Sequence, residues 1–413
     1  MIKFLIKHFP LFIILMNIKY VFSAFLPYYI GISITYLSYI AIATTCLLYY
    51  IKNHKVINTE NKLLSYVYKV LIIYIIIGYI KNLFIPSGLF PFFKLQICCA
   101  LLSFGSIFIF RYESTMIKKV LKTWWKYVPI IFVLTFWRIE ISFYISILFL
   151  CTLLLILLPF QKKKNRPIII TLWIFLIYCG LRQRLDYVEL SIALLLYLVV
   201  KFGQKWSTRR YKILFHTIML TPLFFLSTYY ITGFNILDFK SYYTDEAISK
   251  TAGDMTEDTR SFLYEEAVLS SVKHNYFAFG RTPFYGYDSI WALKRDKQTG
   301  SEQGIIIGNS LQRVSEVFIV NIYTWCGILG CLLFHLLYYT IGFKTIKNSQ
   351  NYLLKVFALY IGLFWLVSWI AHQMFNPSMD YICLYIIVAM CINPFYQNMD
   401  NQQIIKTLKS YQP

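Results

Sequence analysis

The sequence predicts an all-α, polytopic membrane protein of about twelve transmembrane helices with one large outer loop. Three observations lead there. Of the 413 residues 58% are hydrophobic and 14% are charged, with mean hydropathy +0.57, whereas soluble domains are nearer half apolar and a quarter charged. Many apolar runs reach the length that crosses a bilayer. Lys and Arg, 40 against 19 Asp and Glu, concentrate in alternate loops, the pattern that orients a multi-span protein with those loops in the cytoplasm. The net charge of +21 is therefore read as orientation, and a nucleic-acid partner is not expected.

Lys3 and Lys7 precede a first apolar run at about 9–27. It resembles a signal peptide, but Lys19 interrupts it and another span follows at once, so a retained helix is expected. Spans follow at about 29–51, 64–84 and 89–110, separated by the basic loop Lys52, Lys55 and Lys62 and by the Pro86-Ser87-Gly88 turn. The stretch 119–160 is too long for one helix, and Trp137-Arg138-Ile139-Glu140 divides it into two. Further spans are expected at about 167–181, 187–202, 211–232, 315–338, 352–371 and 379–395, before a short polar tail. Residues 1–232 then carry nine spans, 233–314 a folded outer cap, and 315–413 three spans and the tail. Both termini are expected in the cytoplasm.

All nine cysteines lie in apolar segments without metal-like spacing. Neither disulfide nor metal nor cofactor is expected, and buried cysteine serves as a small apolar residue.

The stretch 233–312 is the one long polar segment, with most of the acidic residues and a glycine series, and it holds too many aromatics for disorder. Within it, Asp258-Thr259 is the expected N-cap of a helix at about 260–273. That helix is apolar all round, through Phe262, Leu263, Tyr264, Ala267, Val268 and Leu269, and is expected to be sandwiched. Gly280 is expected to bring backbone close to whatever lies beneath, with Arg281 next to it.

The outer face is otherwise poor in basic residues, so Arg182 and Arg184 at a span end, and Arg260 and Arg281 in the cap, single themselves out. Snorkelling accounts for a span-end arginine taken alone, and Arg138 and Glu140 suit a pair with each other. Glu316 opens an apolar helix, where a carboxylate at bilayer depth marks function. Arginine presents a planar fork that matches phosphate oxygens bidentately. Several such forks with a carboxylate and aromatics suit a lipid diphosphate carrying sugars. Tyr276, Phe277, Phe284, Tyr285, Tyr287 and Trp291 suit either stacking on sugar rings or packing of the cap.

The segments GLRQRLDYVELSIALLLYLVV (180–200), DTRSFLYEEAVLSSVKHNYFAFG (258–280) and SEVFIVNIYTWCGILG (315–330) occur in an order that resembles the bacterial O-antigen polymerase and O-antigen ligase superfamily, the Wzy-type membrane glycosyltransferases. The resemblance covers roughly residues 165–335. It implies transfer of an undecaprenyl-diphosphate-linked glycan to an acceptor sugar at the outer face of the bacterial inner membrane. The family's span-end arginine falls on Arg182, with Arg184 as the alternative, and its loop arginine on Arg260; these would hold the donor diphosphate. It also implies membrane lipid, a flippase and a chain-length regulator as partners. The chain departs from the pattern where ligases carry a histidine, since Glu316 stands there, which favours polymerase over ligase. Its glycine turn reads GRTPFYG, making Arg281 an extra substrate contact. The expected reaction is polymerisation of repeat units for O-antigen, capsule or another surface glycan, with Glu316 as first candidate for the general base and Glu266 and Glu265 behind it. An O-antigen ligase and a polysaccharide flippase or other transporter are the alternatives.

Overall fold

The computed structural model describes residues 1–17, 28–84, 91–135, 144–180, 184–233, 260–290, 305–307, 310–371 and 378–411. Its helices begin with α1 (Ile2–Asn17), α2 (Tyr28–Glu60), α3 (Lys62–Phe84), α4 (Pro91–Ser103), α5 (Ser106–Tyr112), α6 (Met116–Thr135), α7 (Tyr144–Leu148) and α8 (Leu150–Ile156). They continue with α9 (Arg166–Gly180), α10 (Arg184–Phe202), α11 (Thr208–Thr232), α12 (Ser261–Lys273), α13 (Phe318–Asn348), α14 (Tyr352–Ser368), α15 (Met379–Ile392), α16 (Pro394–Gln397) and α17 (Asn401–Ser410).

The described residues are mostly helical, with three short strands among them. Among the described residues five helical stretches are long and apolar enough to cross a membrane: Ser33–Glu60, Lys62–Phe84, Lys94–Tyr112, Thr208–Thr232 and Phe318–Asn348. The apolar helices α14 and α15 are shorter. α15 is apolar all round and buried along its length, as a helix at the centre of a bundle must be. α14 lies beside it, and α13 packs on α14. Around them, α3 and α11 turn Ile73, Ile76, Ile80, Leu220, Leu223 and Phe224 outward. In a helix of membrane length that is the side lipid covers.

Two helices outrun their expected ends. α2 continues through Lys52 and Lys55, and α13 continues past 338 through Lys344 and Lys347. No proline stops either, lysine is a good helix former, and a cation near a helix C-terminus is favourable. The expected polar tail is folded. Asp400 and Gln403 form a capping box, and Ile404 and Leu408 bury the apolar side of α17. Asn351 caps α14 by accepting from Leu354 N, and its amide donates to the Tyr396 and Met399 carbonyls, 3.0 Å each. Arg111 pairs with Glu60 at 2.8 Å and donates to Ile392 O at 2.6 Å, tying α5 to the ends of α2 and α15.

The cap adds strands β1 (Tyr287–Ser289), β2 (Ile305–Ile307) and β3 (Ser310–Arg313), antiparallel in the order β1-β3-β2. Tyr287 pairs with Arg313, and Ile306 with Leu311. The all-α expectation had no sheet here, because strands this short leave no period-two signature.

Candidate functional site

The cap meets the bundle at a break in α13. Gly327 has φ 69° and ψ −170° inside that helix, a conformation essentially reserved for glycine. Such a break takes the helical partners from two carbonyls, Thr324 and Trp325, and two amides, Ile328 and Leu329. The cap supplies all four. Arg281 N donates to Thr324 O at 2.7 Å and Thr282 N to Trp325 O at 3.1 Å; Ile328 N donates to Phe277 O at 2.9 Å and Leu329 N to Ala278 O at 3.4 Å. Irregular backbone beside a membrane helix persists where protein satisfies its polar groups, as here. Gly280, at φ 74°, makes the approach possible. A Cβ there would overlap the Trp325–Cys326 peptide, and one on Gly327 the Ala278 carbonyl. The close approach expected at Gly280 is thus found. Tyr74 of α3 donates to Phe279 O at 2.8 Å, and Phe284 packs on Gly78 and the Tyr79 ring.

α12 begins at Ser261 with Arg260 in the N-cap position and no side-chain cap bond; the expected N-cap pair, Asp258 and Thr259, lies outside the described residues. Leu263, Ala267, Ser270 and Ser271 face the protein. The helix is not sandwiched by the described residues: Val268, Leu269 and Val272 are exposed. Its inner face reaches the bundle through Ser271 Oγ, 2.6 Å from the Tyr323 hydroxyl, and through the Tyr264 hydroxyl, which donates to Trp369 O. Trp369 is the residue that closes the C-terminal end of α14. Burial pushes the Tyr264 hydroxyl well up, Cys331 adds to this, and the Arg260 guanidinium works against it. Arg260 therefore sits near the Tyr264 ring, four residues along the same helix face, and is half-buried.

Two charged groups organise the cap. Asp288 lies 2.8 Å from His274 Nε2, 3.0 Å from Lys273 Nζ and 3.5 Å from Arg281 Nη1. Burial alone would push its carboxyl up, but hydrogen bonds from His274 and Lys273, with their charges, hold it below the usual carboxylate range. Arg281 also donates to Gly286 O at 3.1 Å and lies over the Tyr276 and Tyr285 rings at 5.1 and 5.9 Å. The guanidinium expected to meet substrate is engaged within the cap.

The second group surrounds the buried Tyr287. Burial pushes its hydroxyl well up; Arg313 opposes this, while Glu266 and Glu316 add to it. Four residues, from α12, β1, β3 and the turn before α13, scattered over fifty positions of the chain, are thereby brought together. Adjacent glutamates part company: Glu266 turns inward, half-buried, and Glu265 is exposed and accepts from Tyr229 of α11 at 3.1 Å. Glu316 occupies a tight turn fixed by Asn321, whose side chain accepts from Ser315 N at 2.8 Å and donates to Ser315 O at 2.7 Å. It precedes α13 by two residues and is exposed. The desolvation expected for Glu316 is therefore absent, because the turn lifts it off the apolar helix.

Of the other expected residues, Arg182, Arg138, Glu140 and Trp291 lie outside the described residues. Arg184 opens α10, and its side chain too lies outside the description. Among the aromatics, Tyr276, Phe284 and Tyr287 are core of the cap, while Phe277 is exposed. For those three the structure decides for packing over sugar stacking.

Sequence reasoning passed over Glu189 and Asp380. Glu189 sits in α10 and lines a small pocket with Phe149, Thr152, Ile192, Tyr360, Phe364 and Val367. Both carboxylates lie within electrostatic reach of Tyr360 and Tyr381. A charge inside an apolar run, here five residues past Arg184, was the available signal. Comparison of the chain with protein-family models, with characterised proteins and with solved structures finds no match.

Proposed function

We propose that this protein is a polymerase of lipid-linked oligosaccharide repeat units, a twelve-span membrane glycosyltransferase working at the outer face of a bacterial inner membrane. The growing glycan on its undecaprenyl diphosphate is the donor. A hydroxyl of the next carrier-linked unit attacks the anomeric carbon, the carrier diphosphate departs with the bonding electrons, and the hydroxyl proton passes to a carboxylate. Positioned arginines offset the charge that builds on the leaving diphosphate.

The observation that carries this reading is the seat of Arg260. Its helix is held to the C-terminal end of α14 by the Tyr264–Trp369 bond, and the half-buried Glu266 lies one turn and a half further along the same helix. Cation and carboxylate thus share one rigid element. Arg184, heading α10, and Arg182 before it are the proposed second contact to the diphosphate. Glu266 is a stronger candidate for the base than Glu316, since its inward position leaves it less hydrated.

A transporter is the second reading, and a specific observation favours it: Glu189 and Asp380 are carboxylates within apolar helices, as transport sites often have. Deleting the gene and resolving the surface glycan on a gel separates the readings. Single repeat units in place of a ladder are expected. Unattached polymer would mean ligase, and loss of all outward-facing glycan would mean flippase; either sinks the polymerase proposal.

A further inference from the structure

The tip of the cap, Phe277–Gly280, touches α3 and α13 at levels where both helices turn apolar side chains outward. On α3 it meets Tyr74, whose hydroxyl donates to Phe279 O, and a little further on Phe284 packs on Gly78 and Tyr79. These positions alternate with Ile73, Ile76, Ile77 and Ile80, all exposed, and the exposed Leu83 and Phe84 lie further on still. On α13 the tip meets Ile328 and Leu329, and the exposed Leu329, Leu332 and Leu336 run on from there. Phe277 and Phe279 are themselves 51% and 66% exposed. Single exposed apolar residues need no account, but these two join the outward faces of two membrane-length helices.

Helix lengths give the same depth. Arg111 links Glu60, beside the start of α3, to Ile392 O, and Thr345 of α13 donates to Cys391 O. The Lys62 end of α3 and the Lys344 end of α13 therefore lie on one side. About twenty helical residues cross the hydrocarbon, and counted back from the exposed Lys344 they reach Thr324. Gly327 then lies about 5 Å inside the boundary on the cap's side. On α3, Tyr74 lies about 10 Å short of the exposed Lys81, and Gly78 about 5 Å short of it.

Non-helical backbone persists at such depth where protein satisfies its polar groups. The three tip carbonyls all have protein donors: Ile328 N for Phe277, Leu329 N for Ala278 and the Tyr74 hydroxyl for Phe279. Gly280 N donates to Tyr276 O at 2.7 Å. Charge is kept to the stems. Lys273 and His274 before the tip and Arg281 after it converge on Asp288, which closes the loop at its base.

We propose that Phe277–Gly280 is a re-entrant tip inserted among the lipid acyl chains of the leaflet on the cap's side, with Phe277 and Phe279 in contact with lipid and the Asp288 group in the headgroup layer. This rests on the membrane reading and is independent of the polymerase reading.

The test uses the full-length protein in vesicles of phosphatidylethanolamine and phosphatidylglycerol. The nine native cysteines are buried, so a nitroxide attached through Phe277→Cys, Phe279→Cys, Leu332→Cys or Lys273→Cys is read against the unsubstituted protein as blank. Relaxation by oxygen, which concentrates among acyl chains, is compared with relaxation by a water-soluble nickel chelate. The oxygen-to-nickel ratio at Phe277→Cys and Phe279→Cys should match that at Leu332→Cys and exceed that at Lys273→Cys. The unsubstituted protein supplies a second readout, which decides if a cysteine variant fails to fold. A phosphatidylcholine with a diazirine on its acyl chain should leave adducts on the tryptic peptide from His274 to Arg281. Nickel-dominated relaxation at either phenylalanine position overturns the proposal. So does weak relaxation by both reagents, the mark of a side chain covered by protein, and so does an unlabelled peptide beside a labelled α13. Nickel-dominated relaxation at Leu332→Cys as well would sink the membrane reading, and the proposal with it.

Discussion

At the scale of residues, position separates charges that the sequence presents alike. Glu266 and Glu316 both face the Tyr287 cluster, yet one is half-buried and the other exposed. Glu266→Gln should lower polymerisation by about 10²-fold or more, the usual contribution of a general base, with protein level and prenyl-diphosphate binding retained. Glu316→Gln should stay near wild type. The reverse order in a purified turnover assay would return the base to Glu316. Asp288 carries the pH dependence of the cap. Its folded value lies below the ordinary 3.8, so it binds its proton less readily folded than unfolded. The stabilisation is complete above about pH 4 and is lost as pH falls through the depressed folded value. Asp288→Asn should lower stability by about 1–3 kcal/mol at neutral pH. Melting temperatures followed from pH 6 to pH 3 should fall less steeply in the variant than in wild type, and parallel curves would show that the His274–Lys273–Arg281 group contributes nothing.

At the scale of elements, the broken helix and the cap are one structural unit. The four backbone hydrogen bonds across Gly327 replace those the helix gives up, so neither half is complete without the other. Gly327→Ala meets two penalties: a backbone conformation costing about 1–3 kcal/mol for any residue with a Cβ, and overlap with the Ala278 carbonyl. Gly233→Ala meets only a milder form of the first, because Gly233 lies in the αL region, φ 71° and ψ 3°, and nothing stands within 4 Å of its Cβ. Gly327→Ala is therefore expected to lose markedly more thermal stability than Gly233→Ala, with protease cleavage appearing first in the cap. Similar losses in the two variants would mean that the interlock adds little. The exposed Val268, Leu269 and Val272 show why periodicity misled about α12: an apolar residue on every side describes a helix that meets protein on one face, and it does not name what the other faces meet.

At the scale of the whole molecule, orientation is the quantity on which the proposed outer-face chemistry depends. A reporter fused after Lys164 should be active only in the cytoplasm and one after Gly253 only outside it; the opposite result at either site removes that chemistry. Composition and charge placement were enough to read a helical membrane chain, because solvation of long apolar segments is a property of the segment alone. The helix at 260–273 and the special backbone at Gly280 were legible for a similar reason, being local. The sheet of the cap was not, since Tyr287 and Arg313 pair across twenty-five intervening residues and strands of three or four residues carry no period. Nor were the partners of Asp288, the separation of Glu265 from Glu266, or the exposure of Glu316, each set by a neighbour distant in sequence. The pocket beside Glu189 needed three helices to be placed at once. The sequence by itself determined which segments are helical and apolar; only the tertiary structure decided which charges meet, because burial and ion pairing belong to surfaces that exist once the helices have packed.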